Sequence, residues 1–299
     1  TIEIKESIEA HLLSFKEKER HVEVGFFGGT FTGIPLSEQE KYLQVVKPYL
    51  ASGQIHGIRL STRPDYINRS VLKLLKTYGV TTIELGAQSL DDDVLKTAYR
   101  GHTAKQVEEA SVMIRKTGFD LGLQMMIGLP GDTLEKASAT AEKIITLGAS
   151  NTRIYPALVI RDTAMHRWYE QKKYQPLSLE TAVEWSKQLL LRFEKAEVNV
   201  IRLGLHPSEG LLNGSELIAG PFHPSFRELV LSAIWKDILS PLLKKTDKIK
   251  MEIRVPVAEI NYAIGYGATN KKMLLNYFNK VIFIPDSTLN NRNFKIKKI

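Results

Sequence analysis

Short apolar runs alternate with amphipathic stretches along the first two hundred residues of the chain. Val22 to Phe27, Gly57 to Leu60, Thr82 to Leu85, Leu121 to Ile127, Thr152 to Ala157 and Val198 to Leu203 are brief and rich in aliphatic side chains, which predicts strands. Between them helical periodicity predicts helices over about Ser37 to Leu50, Asn68 to Tyr78, Asp91 to Tyr99, Thr103 to Thr117, Asp132 to Leu147 and Ser178 to Glu194. Gly79, Gly118 and Gly148 each follow a predicted helix, where a left-handed cap is wanted. Asp132, three residues before Glu135, suits a helix start. A strand–helix repeat of roughly 30 residues requires right-handed crossovers and hence a parallel α/β sheet, open or closed.

From about Ser225 the pattern changes. A helix is predicted over Phe226 to Leu243, then strands Lys250 to Val255 and Val281 to Ile284 flanking a helix from about Asn270 to Phe278. The expected division is therefore a large α/β domain, residues 1–224, and a small α+β module, residues 225–299.

Charge sharpens that division. Between Lys244 and Ile299 stand twelve Lys or Arg against four acids, so the whole net charge of +8 falls in this last stretch. A neutral body with a basic module points to a polyanion, RNA first among them, or else to a lysine-rich solubilising surface. Tyr262, Tyr266, Tyr277 and Phe278 among those lysines either stack on bases or fill the small core. Cysteine is absent, which excludes disulfides, thiolate metal sites and cysteine nucleophiles from these residues. No apolar run approaches the length of a membrane span, and no signal-peptide layout opens the chain. A cytoplasmic protein without membrane contact is expected. The first residue is Thr1 rather than Met, so the chain is expected to begin inside a longer product.

Candidate chemistry gathers where the predicted strands end, the usual place for ligands in parallel α/β folds. Gly28, Gly29 and Thr30 follow the first strand, and paired glycines let a backbone approach a ligand or simply turn. Ser61 and Thr62 follow the second, offering hydroxyls for a ribose or for a helix cap. Gln88 ends the third, and Arg100 lies twelve residues on, able to fork onto a carboxylate or to sit at the surface. Gln124 interrupts an apolar strand and needs a partner if buried; Met126 and Ile127 follow it, and Tyr155 closes the fifth strand. His206 and His223 lie beside prolines and are expected to be structural. In Gly265-Tyr266-Gly267-Ala268-Thr269-Asn270 a plain turn with a helix cap at Thr269 or Asn270 is expected, although glycines ahead of a helix superficially suit an acyl-CoA pyrophosphate.

In order and spacing, Gly28-Gly29-Thr30-Phe31, Thr62-Arg63-Pro64-Asp65-Tyr66, Glu84-Leu85-Gly86 with Gln88-Ser89, Arg100-Gly101-His102-Thr103, Leu129-Pro130-Gly131, and Tyr155-Pro156 with Leu158-Val159-Ile160-Arg161 are similar to the radical S-adenosylmethionine (SAM) superfamily. They most resemble its Elongator catalytic-subunit branch and, less closely, oxygen-independent coproporphyrinogen oxidase. The resemblance implies a partial parallel (β/α) barrel that binds SAM and a [4Fe-4S] cluster to generate a 5′-deoxyadenosyl radical, in this branch for tRNA modification. It implies that Gly28, Gly29 and Thr30 hold the methionyl amino group, and that Gln88 and Arg100 reach the ribose and carboxylate. Gln124 matches a ribose contact, and Met126-Ile127 with Tyr155 would border the adenine. Ser61 stands where relatives often carry a ribose-binding Glu, a departure that shortens and neutralises the contact.

The larger departure is the missing cysteine motif of the cluster. The strand Val22 to Phe27 corresponds to the family's second, so the cluster loop is expected upstream of Thr1, and these residues alone are expected to be inert. Acetyl transfer is not predicted, because only about 75 residues follow the barrel. Alternatives are a porphyrinogen-type oxidase, or a cluster-free barrel that binds RNA or protein.

Overall fold

The computed structural model describes residues 1–16, 20–244 and 250–298, so Lys245 and Lys248 of the basic stretch lie outside the described residues. The chain forms two compact units, Thr1–Tyr155 with Arg192–Ile201, and Pro156–Leu191 with Arg202–Ile299.

In chain order the elements are α1 (Ile2–Ser14), β1 (Glu23–Phe26), α2 (Leu36–Ala51), β2 (Gly57–Thr62), α3 (Arg69–Thr77), β3 (Val80–Gln88), α4 (Asp92–Thr97), α5 (Ala104–Lys116), β4 (Asp120–Ile127), α6 (Leu134–Thr146) and β5 (Asn151–Pro156). There follow β6 (Val159–Ile160), α7 (Ala164–Glu170), α8 (Leu179–Lys195), β7 (Asn199–Leu203), α9 (Glu209–Leu212), β8 (Leu217–Ala219) and α10 (Phe226–Leu239). The chain closes with β9 (Lys250–Val255), α11 (Ile260–Ile264), α12 (Thr269–Leu275), β10 (Lys280–Pro285) and β11 (Lys295–Lys298). Six strands in the order β1-β2-β3-β4-β5-β7 make a curled parallel half-barrel, the expected fold class.

Strand alternation gives this sheet two unlike faces. Ile58, Leu60, Ile83, Leu85, Leu121, Leu123, Ile127 and Ile154 are fully buried on one face, as are Leu43, Val46, Val107, Ile114 and Ile144 of the covering helices. Each such side chain stabilises the fold by roughly 1.5–3 kcal/mol through removal from water. The other face carries Glu23, Arg59, Ser61, Glu84, Gln124 and Arg153. Glycines make room for these long side chains. A Cβ on Gly122 would lie 2.6 Å from Asn151 Oδ1 and 2.7 Å from Glu84 Cγ.

Helix ends follow local chemistry. Asn68 and Asp91 cap α3 and α4, and Thr103 with Gln106 forms a full capping box on α5. Gly79, Gly118 and Gly148 take the left-handed conformation expected of them, with φ of 76°, 80° and 73°. One start is corrected: Thr133, not Asp132, caps α6, its hydroxyl accepting the Lys136 N–H at 3.3 Å. The helix expected to run to Leu243 stops at Leu239 and continues as a 3₁₀ turn through Pro241, which has no N–H to donate. Pattern reading missed α1, which buries only Ile8 and so has no apolar stripe to read.

In the second unit β6 pairs antiparallel with β8. β9 is the centre of a three-stranded sheet, parallel to β10 and antiparallel to β11. Trp235 and Leu239 of α10 share its core with Met251, Ile253, Val255, Ala263, Leu274, Phe278 and Val281.

Candidate functional site

The ends of β1 to β4 open onto a hollow of about 320 Å³. It is lined by Gly28, Gly29 and Thr30 after β1, Ser61, Thr62 and Arg63 at the end of β2, Gly86 and Gln88 on β3, Gln124 on β4, and Arg100 and His102 between α4 and α5. Eight of the eleven residues singled out from the sequence are thus gathered at one place. Met126 and Tyr155 are not among the lining residues, and Ile127 is fully buried on the opposite face of its strand.

Each wall has a local cause. Gly28 has φ of 98°, and a Cβ on Gly28 or Gly29 would meet nothing within 4 Å, so their backbone is bare towards open space. Ser61 Oγ donates to the Gly29 carbonyl at 3.4 Å, tying the second strand end to the glycine turn. Thr32 and Thr62 share a hydroxyl hydrogen bond of 2.6 Å in the buried layer below. Gln88 takes the left-handed conformation, φ 64°, and its Oε1 accepts from Gln124 Nε2 at 3.2 Å. That contact is the partner a polar residue in an apolar strand requires.

The far wall is cationic. Arg63 forks onto Asp65 through two hydrogen bonds of 2.9 Å. Arg100 has a buried Nε with no partner in the protein, and burial, then the nearby Arg63, lowers its pKa. His102 is 7% exposed, and its Nε2 lies 3.0 Å from the Ala87 carbonyl. A carbonyl only accepts, so Nε2 carries the proton and Nδ1, which has no partner, presents a lone pair. Burial, only partly offset by that hydrogen bond, pushes the imidazole below its usual pKa and keeps it neutral. Arg63, Gly86 and His102 stand within the sequence motifs but are not among the residues expected at the site; the Arg100-Gly101-His102-Thr103 string is the signal for His102.

The donor set suits a zwitterionic nucleoside: bare backbone for an ammonium, an unpartnered guanidinium for a carboxylate, and two amides with a neutral imidazole for hydroxyls. A metal cluster is not suited. The chain has no cysteine, and among the described residues no group of three or more His, Asp or Glu is placed to hold a metal ion.

Deeper on the polar face, Glu84 is 3% exposed and accepts from Arg153 Nε at 2.6 Å and Nη2 at 3.1 Å. Arg59 Nε lies 3.4 Å from both Glu84 and Glu23, in ion-pair range without hydrogen-bond geometry. The Arg153 guanidinium sits 4.8 Å from the centre of the half-exposed Phe27 ring, and Nη1 reaches Tyr155 Oη at 3.4 Å. Among the other candidates, Arg202 lies 3.5 Å from His206, and His223 Nδ1 accepts from the Ser225 N–H at 3.0 Å.

The Radical SAM superfamily model matches residues 2–144, and the Radical_SAM C-terminal domain matches residues 150–236. The chain is 29% identical over 175 residues to a tRNA uridine(34) acetyltransferase of Dehalococcoides mccartyi, covering 52% of this chain and 38% of that protein. It is 30% identical over 189 residues to Elongator complex protein 3 of Homo sapiens, covering 56% and 35%. The chain thus spans little more than a third of the length of these relatives. The structure of archaeal Methanocaldococcus infernus Elp3 with an N-terminal deletion superposes with a TM-score of 0.66 at 21% identity, covering 80% of this chain and 59% of that one, a likeness of fold.

Proposed function

This chain belongs to the radical SAM superfamily, and from that membership we propose that its strand-end hollow binds SAM in the service of an enzyme that modifies RNA. The observation that supports this most is the convergence of Gly28, Gly29, Gln88, Arg100, His102 and Gln124 on one hollow with two buried polar atoms still unpartnered. An unpartnered buried donor or acceptor costs about 1–3 kcal/mol, so a ligand that completes Arg100 Nε and His102 Nδ1 gains by that amount.

On this reading Gly28, Gly29 and Thr30 receive the methionyl ammonium, Arg100 pairs with the carboxylate, and Gln88, Gln124 and His102 bond the ribose hydroxyls. Ser61, by holding the Gly29 carbonyl, positions the glycine turn. Met126 and Tyr155 remain candidates for the adenine edge. A [4Fe-4S] cluster would supply the electron for radical chemistry on SAM. No residue of this chain is assigned to that cluster, and the 299 residues alone are not expected to cleave SAM. RNA as the substrate class rests on the relatives named for tRNA uridine(34) and Elongator; acetyl transfer is not carried over.

Calorimetric titration of SAM into the chain tests the reading. Binding that weakens at least about tenfold in Arg100→Ala, a loss of about 1.4 kcal/mol, is expected. Affinity equal to the parent's in both Arg100→Ala and His102→Ala would sink it.

A further inference from the structure

Four aromatic side chains of the first compact unit are exposed among the described residues: Phe15, Phe27, Tyr66 and Tyr99. A lone exposed aromatic is ordinary, but three of these four adjoin the walls of the strand-end hollow. Phe27 directly precedes Gly28, and Tyr99 directly precedes Arg100. The Tyr66 ring lies 5.9 Å from the Arg63 guanidinium. A Cβ on Gly33 would meet both Tyr66 Cε1, at 3.6 Å, and Thr30 Cγ2, at 3.1 Å. Gly28, Thr30, Arg63 and Arg100 all line the hollow.

Two of the rings are held in place by forked arginines. Arg153, forked onto Glu84, lies 4.8 Å from the centre of the Phe27 ring. Gly25 leaves that ring room to fold along β1, since a Cβ there would collide with it. Arg63, forked onto Asp65, holds Tyr66 in the same manner. Arg63 also packs towards the third ring, its Nη2 lying 3.1 Å from where a Gly101 Cβ would stand. Tyr99 differs. It is 79% exposed and follows α4 in the left-handed conformation, φ 52°, a place that glycine fills more readily. So exposed a side chain adds little apolar burial to the fold.

The chemistry of the rim suits bases carried on a polyanion. The eleven lining residues include Arg63, Arg100 and His102 but no Asp or Glu, and the neighbouring Asp65 is already taken by Arg63. Flat rings accept any nucleobase by stacking, with little regard to sequence. Rings already fixed by arginines lose little freedom when a base arrives. A duplex keeps its bases stacked on one another and out of reach of such rings. We propose that Phe27, Tyr66 and Tyr99 form a stacking collar for the unpaired bases of a single-stranded RNA, holding the strand across the mouth of the hollow. The inference rests on the RNA part of the proposed function, gives it an interface, and does not depend on SAM binding.

The test is fluorescence anisotropy of the whole chain with a labelled, mixed-sequence oligoribonucleotide of about ten nucleotides, single-stranded or in duplex. Tighter binding of the single strand is expected, with about a fivefold or greater loss in each of Phe27→Leu and Tyr99→Gly. Phe27→Tyr, which keeps a ring, is expected to bind like the parent. Tyr99→Gly is the diagnostic variant: glycine suits a φ of 52°, so its melting temperature is expected to be no lower than the parent's. SAM affinity is expected to be unchanged in all three.

The collar is overturned if Phe27→Leu and Tyr99→Gly bind the single strand as tightly as the parent. It is likewise overturned if affinity falls only in Lys271→Glu with Lys272→Glu, which would move RNA to the basic module. A fall in SAM affinity in step with that for RNA would make the rings part of the hollow itself and equally overturn it. A deoxyribose strand held more tightly than the ribose strand would assign the rings to DNA instead. In the first two cases RNA binding elsewhere on the chain still stands. No RNA binding at all would remove the collar together with the RNA reading, leaving the SAM titration untouched.

Discussion

The carboxylate of Glu84 on β3 holds the guanidinium of Arg153 on β5 by two hydrogen bonds, 2.6 and 3.1 Å long, on the polar face of the half-barrel. Burial disfavours the Arg153 charge, but the pairing with Glu84 outweighs it and raises the pKa. Glu84 is thus the only counter-charge Arg153 is seen to use among the described ion pairs, and it also neutralises Arg59. Truncating it strands the half-buried Arg153, whereas Arg59 keeps Glu23 at 3.4 Å. Glu84→Ala is expected to lower unfolding free energy by about 3–5 kcal/mol, measured by urea denaturation. A loss under about 1 kcal/mol would show that water replaces the carboxylate freely.

Lys187 makes the contrasting case. It is 8% exposed and bonds Asp237 at 2.5 Å and Glu184 at 2.6 Å. Its partners' side chains are 60% and 48% exposed, so both can return to water when the ammonium is removed. Lys187→Met is expected to change stability by less than about 1 kcal/mol in either direction. The same denaturation series reads both substitutions, and a Lys187→Met loss matching that of Glu84→Ala would contradict the distinction.

The start of α6 offers a sharper comparison between neighbours. Thr133 supplies the cap, and Asp132 accepts the Gly128 N–H at 2.8 Å in the preceding turn. Thr133→Ala is expected to cost about 1 kcal/mol through the lost cap, seen as a lower melting temperature. If Thr133→Ala melts with the parent, the helix start is held by Asp132 after all.

Asp132 itself carries a pH signature. Burial, opposed by backbone hydrogen bonds from Gly128 and Thr133, raises its pKa from 3.8 to about 6. The native state then binds more protons than the unfolded chain between those values. The stabilising effect is full below pH 3.8 and is lost as pH rises through 6, a fall of up to about 3 kcal/mol. Asp132→Asn should flatten stability across that window while leaving the profile outside it unchanged. A persisting slope in the Asn variant would assign the titration to another group.

The half-barrel was legible because its strands are apolar on the packing face and its helices carry caps and terminal glycines, signals local to a few residues each. The candidate site was legible only in combination: singly Gly28, Gly29, Gln88 and Arg100 fit a turn, a cap or a surface charge, and it is their order and spacing across the strand ends that resemble a known family. What stayed hidden depends on long-range contacts. His102 gains meaning only when the Ala87 carbonyl, fifteen residues back, fixes its proton. Asn270 read as a helix cap because its inward partners on Ser232 and Tyr262 come from other elements. The turn at Gly267 and Ala268 could not be judged without dihedral angles, for a glycine beside an alanine announces no left-handed pair.

Gly122 belongs to this second kind. Its missing side chain is the space in which Glu84 Cγ and Asn151 Oδ1 lie, 2.7 and 2.6 Å from where a Cβ would stand. Position 122 therefore does not vary alone. A library randomised at this one codon should return glycine almost uniformly among folded clones, whereas joint randomisation with codons 84 and 151 should admit alanine or serine opposite a shortened partner. Three positions far apart in the gene would drift as a single hereditary unit, and a lineage could exchange the ion pair on this polar face only by a concerted change.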